Sequence, residues 1–470
     1  MQQQYIAGLD VGTTSVKAVV FSLDGHIVAA GRRAYQWDIV RYGAEIDAMV
    51  LADAAHVALR EAIDATPAGP ILAVGIASIG ESGVLLDGSN EPLAPVIAWH
   101  DKRDDVELSE LADDIGIDRF SSVTGLPFRH QWSLTKHRWF VDTHPDVRNI
   151  ALRLNVAEWI AFSLGAAPAT ELSLASRTGW FDVVNKTWWS EALAWSRLSE
   201  NTLPELVTAG TRLGTVVSGV VSPRLAGAVI TTAGQDHQSA AVGLGATMVG
   251  AEVDSCGTAE ALVRTVDPIS SSASILALAQ IGVTVGWHAH PGRWCLLAGT
   301  EGGLILSQAL SALGTNDFAA GGLDDDARKI ATPGVRAFVD DAALLGFAGI
   351  GNDTSPAQLW RSAIELVTEQ VTALHDSMSD IVGGHRELIV TGGWSGSGAL
   401  LDCKRRQLGE FSRPDVAEAG ARGAAIFAGM AASLWSDPST HTLTHSAAQS
   451  DRPDTPRPIQ LSPMDEGTLA

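Results

Sequence analysis

The segment "YIAGLDVGTTSVKAVVFSLDG", residues 5–25, sets Asp10 at the end of an apolar run and follows it with Gly12, Thr13 and Thr14 before the chain turns apolar again. Backbone N–H groups of a tight glycine turn can hold phosphate, threonine hydroxyls add donors, and a nearby carboxylate can hold a hydrated magnesium ion. The stretch is not a Walker loop, whose G-x-x-x-x-G-K-[ST] runs into a helix. Here the turn joins two strand patterns. A second stretch, "GAEVDSCGTAEALVRT", repeats the order of apolar run, Asp254, Gly257-Thr258 and apolar run. One copy alone describes an ordinary β-turn equally well. Two copies predict duplicated lobes that pinch one polyphosphate between them.

Such loops need rigid strands to carry them. The residues around the first loop are β-branched or apolar, and Asp24-Gly25 is a two-residue hairpin signal, so the chain opens as strand, loop, strand, turn, strand. Residues 49–64 show helical spacing, and strands return around a second turn at Asp87-Gly88. Residues 106–200 are richer in helix-like, tryptophan-bearing segments and read as an inserted lobe. The second half closes with a long helix pattern, the strand "ELIVTGG" and the helix "EAGARGAAIFAGMAASLW". The fold class is α/β. The boundaries read as residues 1–244, residues 245–436, and a loose Pro-, Ser- and Thr-rich tail over 437–470.

Bulk properties narrow the function. A length of 470 residues suits about two domains. The net charge of −22 argues against a nucleic-acid surface, which needs clustered Lys and Arg, so any phosphate must be held locally. Cys256, Cys295 and Cys403 lie far apart without a C-x-x-C, which suits a reducing compartment. The N-terminus lacks a basic leader, and the most apolar late stretch is broken by serines and Gln280. A cytoplasmic protein without membrane spans is expected.

Several segments taken together resemble the FGGY family of carbohydrate kinases, within the actin-like ATP-binding folds. "GLDVGTTSVKAVVF" is similar to the first phosphate motif and "VDSCGTAEALV" to the second. "TAGQDHQSAAVGLGA" is similar to the segment with the catalytic aspartate, "TGGWSGSGALLDCKRRQLG" to the adenosine motif, and "EAGARGAAIFAG" to the helix closing the nucleotide pocket. The resemblance implies two duplicated ribonuclease H-like domains around a central cleft, with ATP and Mg2+ as cofactors. It implies Asp236 as general base, where the bare sequence would favour a helix cap. Asp10 would hold magnesium. Thr13, Thr14 and Lys17 would lie along the phosphates, Gly257 and Thr258 would meet them from the other side, and Gly392, Gly393, Ser395 and Ser397 would pass under adenosine.

A sugar site combines carboxylates that accept from hydroxyls with an aromatic that covers the carbon skeleton. Where the family places such contacts the chain offers Glu81, Trp99, His100 and Asp101, completed by Asp236 and His237. Glu81 aligns with an acidic contact of glycerol kinases, but Gly80 stands where they carry arginine, which argues against a strict glycerol kinase. "HAHPGRWCLLAG" looks closer to xylulokinase-like members. The expected substrate is therefore a ketopentose such as xylulose, with glycerol, erythritol or gluconate as alternatives and a homodimer as the one assembly allowed for. An actin- or chaperone-like ATP switch is the competing class, and a silent sugar sensor the third.

Overall fold

A computed structural model describes residues 3–41, 43–144 and 149–439 of the chain. The tail expected from residue 437 lies, from residue 440 on, outside the described residues. The opening segment forms strands Tyr5–Val11, Ser15–Ser22 and Ile27–Ala34, paired antiparallel in turn. Gly25 takes φ +93° in the turn between the second and third, where Ser22 N donates to His26 O at 3.0 Å. On the other side of Tyr5–Val11 the strand Ile71–Ser78 runs parallel, and Val229–Gln235 runs parallel beyond that. A short edge strand, Gly214–Thr215, completes a six-stranded sheet.

The second half repeats this plan. Ala251–Cys256 and Glu260–Val266 form an antiparallel pair, Trp294–Thr300 extends it, and Glu387–Thr391 lies parallel beside Ala251–Cys256. With Thr284–Trp287 at its edge the sheet has five strands. Both halves therefore contain a hairpin with a parallel neighbour on its first strand, the duplication that the two phosphate-like stretches suggested.

Helices cover the sheets. Ala48–Asp64 starts at Asp47, whose side chain accepts from Met49 N, and buries an alanine-rich face with Leu51, Leu59 and Ile63 against the first sheet. Pro356–Val382 starts with Ser355 and Gln358 in a reciprocal capping box. Its inner face, with Trp360, Ile364, Val367 and Val371, fills the second core. The tryptophan-rich insertion has a core of its own around Phe120, Trp132, Trp180 and Trp189.

The last described helix, Ala419–Ala431, departs from chain order. It packs Ala421, Ala424, Ala425 and Phe427 against Ile6, Val19, Phe21 and Ala77 of the first sheet and Val242 of the helix after Asp236. The range 245–436 thus contributes a helix to the first half's core. Helix and sheet meet at backbone distance: a Cβ added at Gly8 would stand 1.8 Å from Ala421 O. Gly8→Ala is expected to cost about 1–3 kcal/mol in chemical denaturation, the usual range for overpacking. Gly88→Ala, where an added Cβ meets nothing within 4 Å, should leave the midpoint unchanged.

Candidate active site

Three parallel strands of the first sheet end together. Asp10 lies opposite Ala77, Val11 opposite Ser78, and Ser78 opposite Gln235, so Asp10, Gly80-Glu81 and Asp236 emerge side by side at the carboxyl ends. Open α/β sheets bind ligands beyond that edge.

Asp236 begins the helix Asp236–Gly243, but the cap is Gln235, whose side chain accepts from Gln238 N at 3.2 Å. Asp236 Oδ1 accepts from His237 N at 2.8 Å and from Gln235 Nε2. Oδ2 has no protein partner among the described residues and is the oxygen able to take a proton. The loop is tied from behind: Gln235 N donates to Ser173 Oγ at 3.0 Å, and Ser173 N donates to Glu171 at 2.8 Å. Burial pushes Glu171 up to about 7.

The first glycine turn is gripped by aromatics, of which sequence reasoning singled out only Trp99, and that as a sugar contact. Tyr35 Oη donates to Gly12 O, Trp37 Nε1 to Thr13 O at 2.7 Å, and Trp99 Nε1 to Thr13 Oγ1 at 3.2 Å. Trp99 therefore joins the phosphate turn to the sugar side. His100 stacks edge-on to Trp99 at 5.3 Å and to Trp37 at 6.3 Å. Thr14 is exposed, and Lys17, across the hairpin from Asp10, pairs with Glu418 at 3.1 Å. Glu418 holds φ +54°, a region most residues avoid. A cavity of about 330 Å³ brings both halves together, with Asp10, Lys17 and His237 on one side and Ser255, Gly392 and Glu418 on the other.

Burial, reinforced by the like charges of Asp236 and Glu418, raises the Asp10 pKa to about 7. This excess of enclosed negative charge, only partly offset by Lys17, is what a divalent cation would neutralise, so the donor set fits magnesium. The sign follows from linkage. A folded pKa above the ordinary 3.8 makes Asp10 cost stability progressively as pH rises from about 4 to 7. Cation binding, which needs the ionised form, should strengthen over the upper part of that interval. Mg2+ affinity of the ADP complex, measured by titration, is expected to rise about tenfold per pH unit below 7 and flatten above, one proton being displaced per ion. Asp10→Asn should abolish the slope.

In the second half, Gly257 and Thr258 follow the strand Ala251–Cys256, with Thr258 exposed toward solvent. Gly392 takes φ +93° with its Cα against that strand's end, where a Cβ would lie 2.4 Å from Cys256 O. Gly392 and Gly393 are exposed, whereas Ser395 turns its hydroxyl onto Gly392 O at 2.7 Å. Ser397 departs from expectation. Its hydroxyl is buried, donates to Asp324 Oδ1 at 2.5 Å and caps the helix Gly398–Leu408. The adenosine loop can offer a ligand the backbone of its glycines, not the Ser397 side chain.

Behind this loop Asp254, Cys256 and Glu260 place donor atoms within 4.8 Å of one another, a spacing that could suit a metal. Lys404 occupies that role: its ammonium lies 2.5 Å from Asp254 Oδ2 and also contacts Glu260 Oε1, all fully buried. The second-half counterpart of Asp10, Asp254, is thus one member of a three-residue structural ion cluster.

On the sugar side, Glu81 is held by Gln131 Nε2 at 2.8 Å and Arg177 Nε at 2.6 Å. Asp101 does not face the cleft. Its carboxylate accepts from Arg103 Nη2 and from Ala44 N, at 2.8 and 2.7 Å, and is buried between them. The hydrogen bonds of Arg103 and Ala44 hold its pKa below the usual range despite burial. Asp101 anchors the hairpin 38–46 to the segment 96–103, which removes it from the substrate set. Gln131 and Arg177 were missed in the sequence. Their only local signal was a polar group interrupting apolar, tryptophan-bearing segments, "FRHQW" and "LASRTGW".

The chain matches the FGGY family of carbohydrate kinases, N-terminal domain, over residues 5–243, and its C-terminal domain over 329–432. It belongs to that family. The FGGY chain is 29% identical to a glycerol kinase of Janthinobacterium over 463 residues, covering 92% of this chain and 91% of the relative. A Streptomyces avermitilis glycerol kinase 2 is 28% identical, covering 93% and 90%. Among solved structures, a Plasmodium falciparum glycerol kinase with ADP superposes with a TM-score of 0.85 at 20% identity, covering 95% of this chain and 93% of that one. A ligand-bound xylulose kinase from Lactobacillus acidophilus gives 0.84 at 20%, covering 97% and 94%. The fold is that of the actin-like ATPases, and this FGGY chain is a carbohydrate kinase, which sets aside the switch and sensor readings. The xylulose expectation is not favoured, because the sequence relatives are named glycerol kinases. No described helix is long and apolar enough to cross a membrane.

Proposed function

We propose that this FGGY kinase transfers the γ-phosphoryl group of magnesium ATP to a hydroxyl of a small sugar or polyol. The observation that carries the reading is the convergence of Asp10, Glu81 and Asp236 at three neighbouring strand ends, with Asp10 and His237 facing Ser255 and Gly392 of the second half across one cavity. Phosphoryl transfer asks for positioning and charge neutralisation more than covalent chemistry.

In this reading Thr13, Thr14 and Lys17 bind the phosphates from the first half, and Gly257 and Thr258 from the second. Gly392, Gly393 and Ser395 form the floor under adenosine. Asp10 holds magnesium, which supplies charge neutralisation on the phosphate oxygens. Lys17 exchanges Glu418 for phosphate. Glu81 accepts from a substrate hydroxyl, Trp99 and His237 wall the sugar, and Asp236 Oδ2 takes the proton as the hydroxyl oxygen attacks. Approach of the two lobes would exclude water and suppress idle hydrolysis. Three buried free cysteines suit a reducing cytoplasm. Release of ADP with a panel of ketoses, aldoses, polyols and sugar acids, ranked by kcat/KM, tests the reading. Nucleotide binding without ADP release from any of them would defeat it.

A further inference from the structure

In a chain of net charge −22, Arg177 meets the sugar-facing glutamate, and a second arginine, Arg129, shares the Trp132 indole with it. Arg177 is 3% exposed, and both its Nε and Nη2 engage the same oxygen, Glu81 Oε1. Gln131 Nε2 donates to that oxygen as well. Among the described residues Glu81 Oε2 accepts only from Gly80 N, at 3.2 Å. Nη1 of Arg177 has no acceptor among the described residues and is left able to donate to a ligand.

Arg129 stands beside it. The two head groups lie 5.4 and 5.6 Å from the ring centroid of the same indole, Trp132. Arg129 is open to water, and among the described residues no carboxylate pairs with it. Protein packed around its head group, with the like charge of Arg177, holds its pKa below the usual range. Glu81 forms its ion pair with Arg177 and acts on Arg129 only at longer range. Gly80 makes the arrangement possible: a Cβ there would fall 2.8 Å from Arg177 Cδ and 3.3 Å from Gln235 Cγ. The missing side chain admits Arg177 between Glu81 and the loop that carries Asp236.

We propose that Arg129 and Nη1 of Arg177 form a carboxylate subsite, and that the phosphorylated compound is a polyhydroxy acid of the aldonate type. Its carboxylate lies on the two guanidinium groups, which suit planar oxygen pairs. Its nearest hydroxyls lie on Glu81 Oε2 and Gln131, and the hydroxyl to be phosphorylated is presented to Asp236. A neutral polyol would leave Arg129 and the spare donor of Arg177 without an ionic partner. This inference rests on the kinase reading above and deepens it.

The test measures kcat/KM with aldonates, and with the alditol and aldose of the same carbon number, for wild type, Arg129→Gln and Arg129→Lys. The wild type is expected to prefer the acid by about 100-fold or more, because a site built around a polar group rejects analogues that lack it. In Arg129→Gln that ratio should fall at least about tenfold, mainly through KM for the acid, with Arg129→Lys in between. Turnover of neutral polyols but not acids would overturn the subsite while leaving the kinase reading intact. So would preference for a sugar phosphate, or an acid-to-alditol ratio unaltered in Arg129→Gln. ADP release from no compound at all would overturn both.

Discussion

Asp236→Asn is expected to give a folded protein that binds ATP as wild type does and releases ADP in response to substrate about 10²–10⁴ times more slowly, the range for loss of a general base. The asparagine carbonyl can still accept from His237 N and Gln235 Nε2, so the loop and the helix behind it keep their geometry. What disappears is the second carboxylate oxygen, which has no protein partner among the described residues and would take the substrate proton. Calorimetric titration with a non-hydrolysable ATP analogue separates binding from turnover. Unimpaired turnover by the folded variant would remove Asp236 from the base role.

Lys404→Met is the largest stability change expected. Asp254 and Glu260 sit buried on neighbouring strands, and the Lys404 ammonium lies on both. Removing one member of a buried ion cluster leaves charge without compensation, at a cost of about 3–5 kcal/mol. Burial already pushes Glu260 up, against the pull of Lys404. Without the ammonium Glu260 would hold its proton still more tightly when folded than when unfolded. The loss should therefore be smaller at pH 6 than at pH 8 in urea denaturation, since stability falls as pH rises through such raised values. Adding Asp254→Asn and Glu260→Gln to the variant should restore much of the midpoint. An undiminished midpoint in Lys404→Met alone would show that the cluster contributes little.

Local sequence carried much of this architecture. The opening hairpin was legible because Asp24-Gly25 fixes the turn and the flanking residues are β-branched, both short-range properties. The repeated Asp, Gly, Thr order was legible because duplication preserves order even when identity fades. What escaped depends on contacts distant along the chain. Arg177 reaches Glu81 across 96 residues and Gln131 across 50, and no periodicity encodes those meetings.

Asp101 and Ser397 failed as ligand candidates for a related reason. Residue type and position fitted, but neighbours invisible in the sequence, Arg103 with Ala44 and Asp324, had already engaged their oxygens. Lys404, which sequence reasoning passed over within the adenosine-like segment, becomes a buried counter-ion only through the fold.

The helix Ala419–Ala431 also bears on how the protein is made. Ile6, Val19 and Phe21 leave the ribosome early, whereas the alanine-rich face that covers them is translated some 400 residues later. At about 5–20 residues per second the nascent first lobe waits roughly 20–80 s with that hydrophobic side bare. The interval is one in which a holding factor, or a slow approach to the native state, decides the yield of usable enzyme.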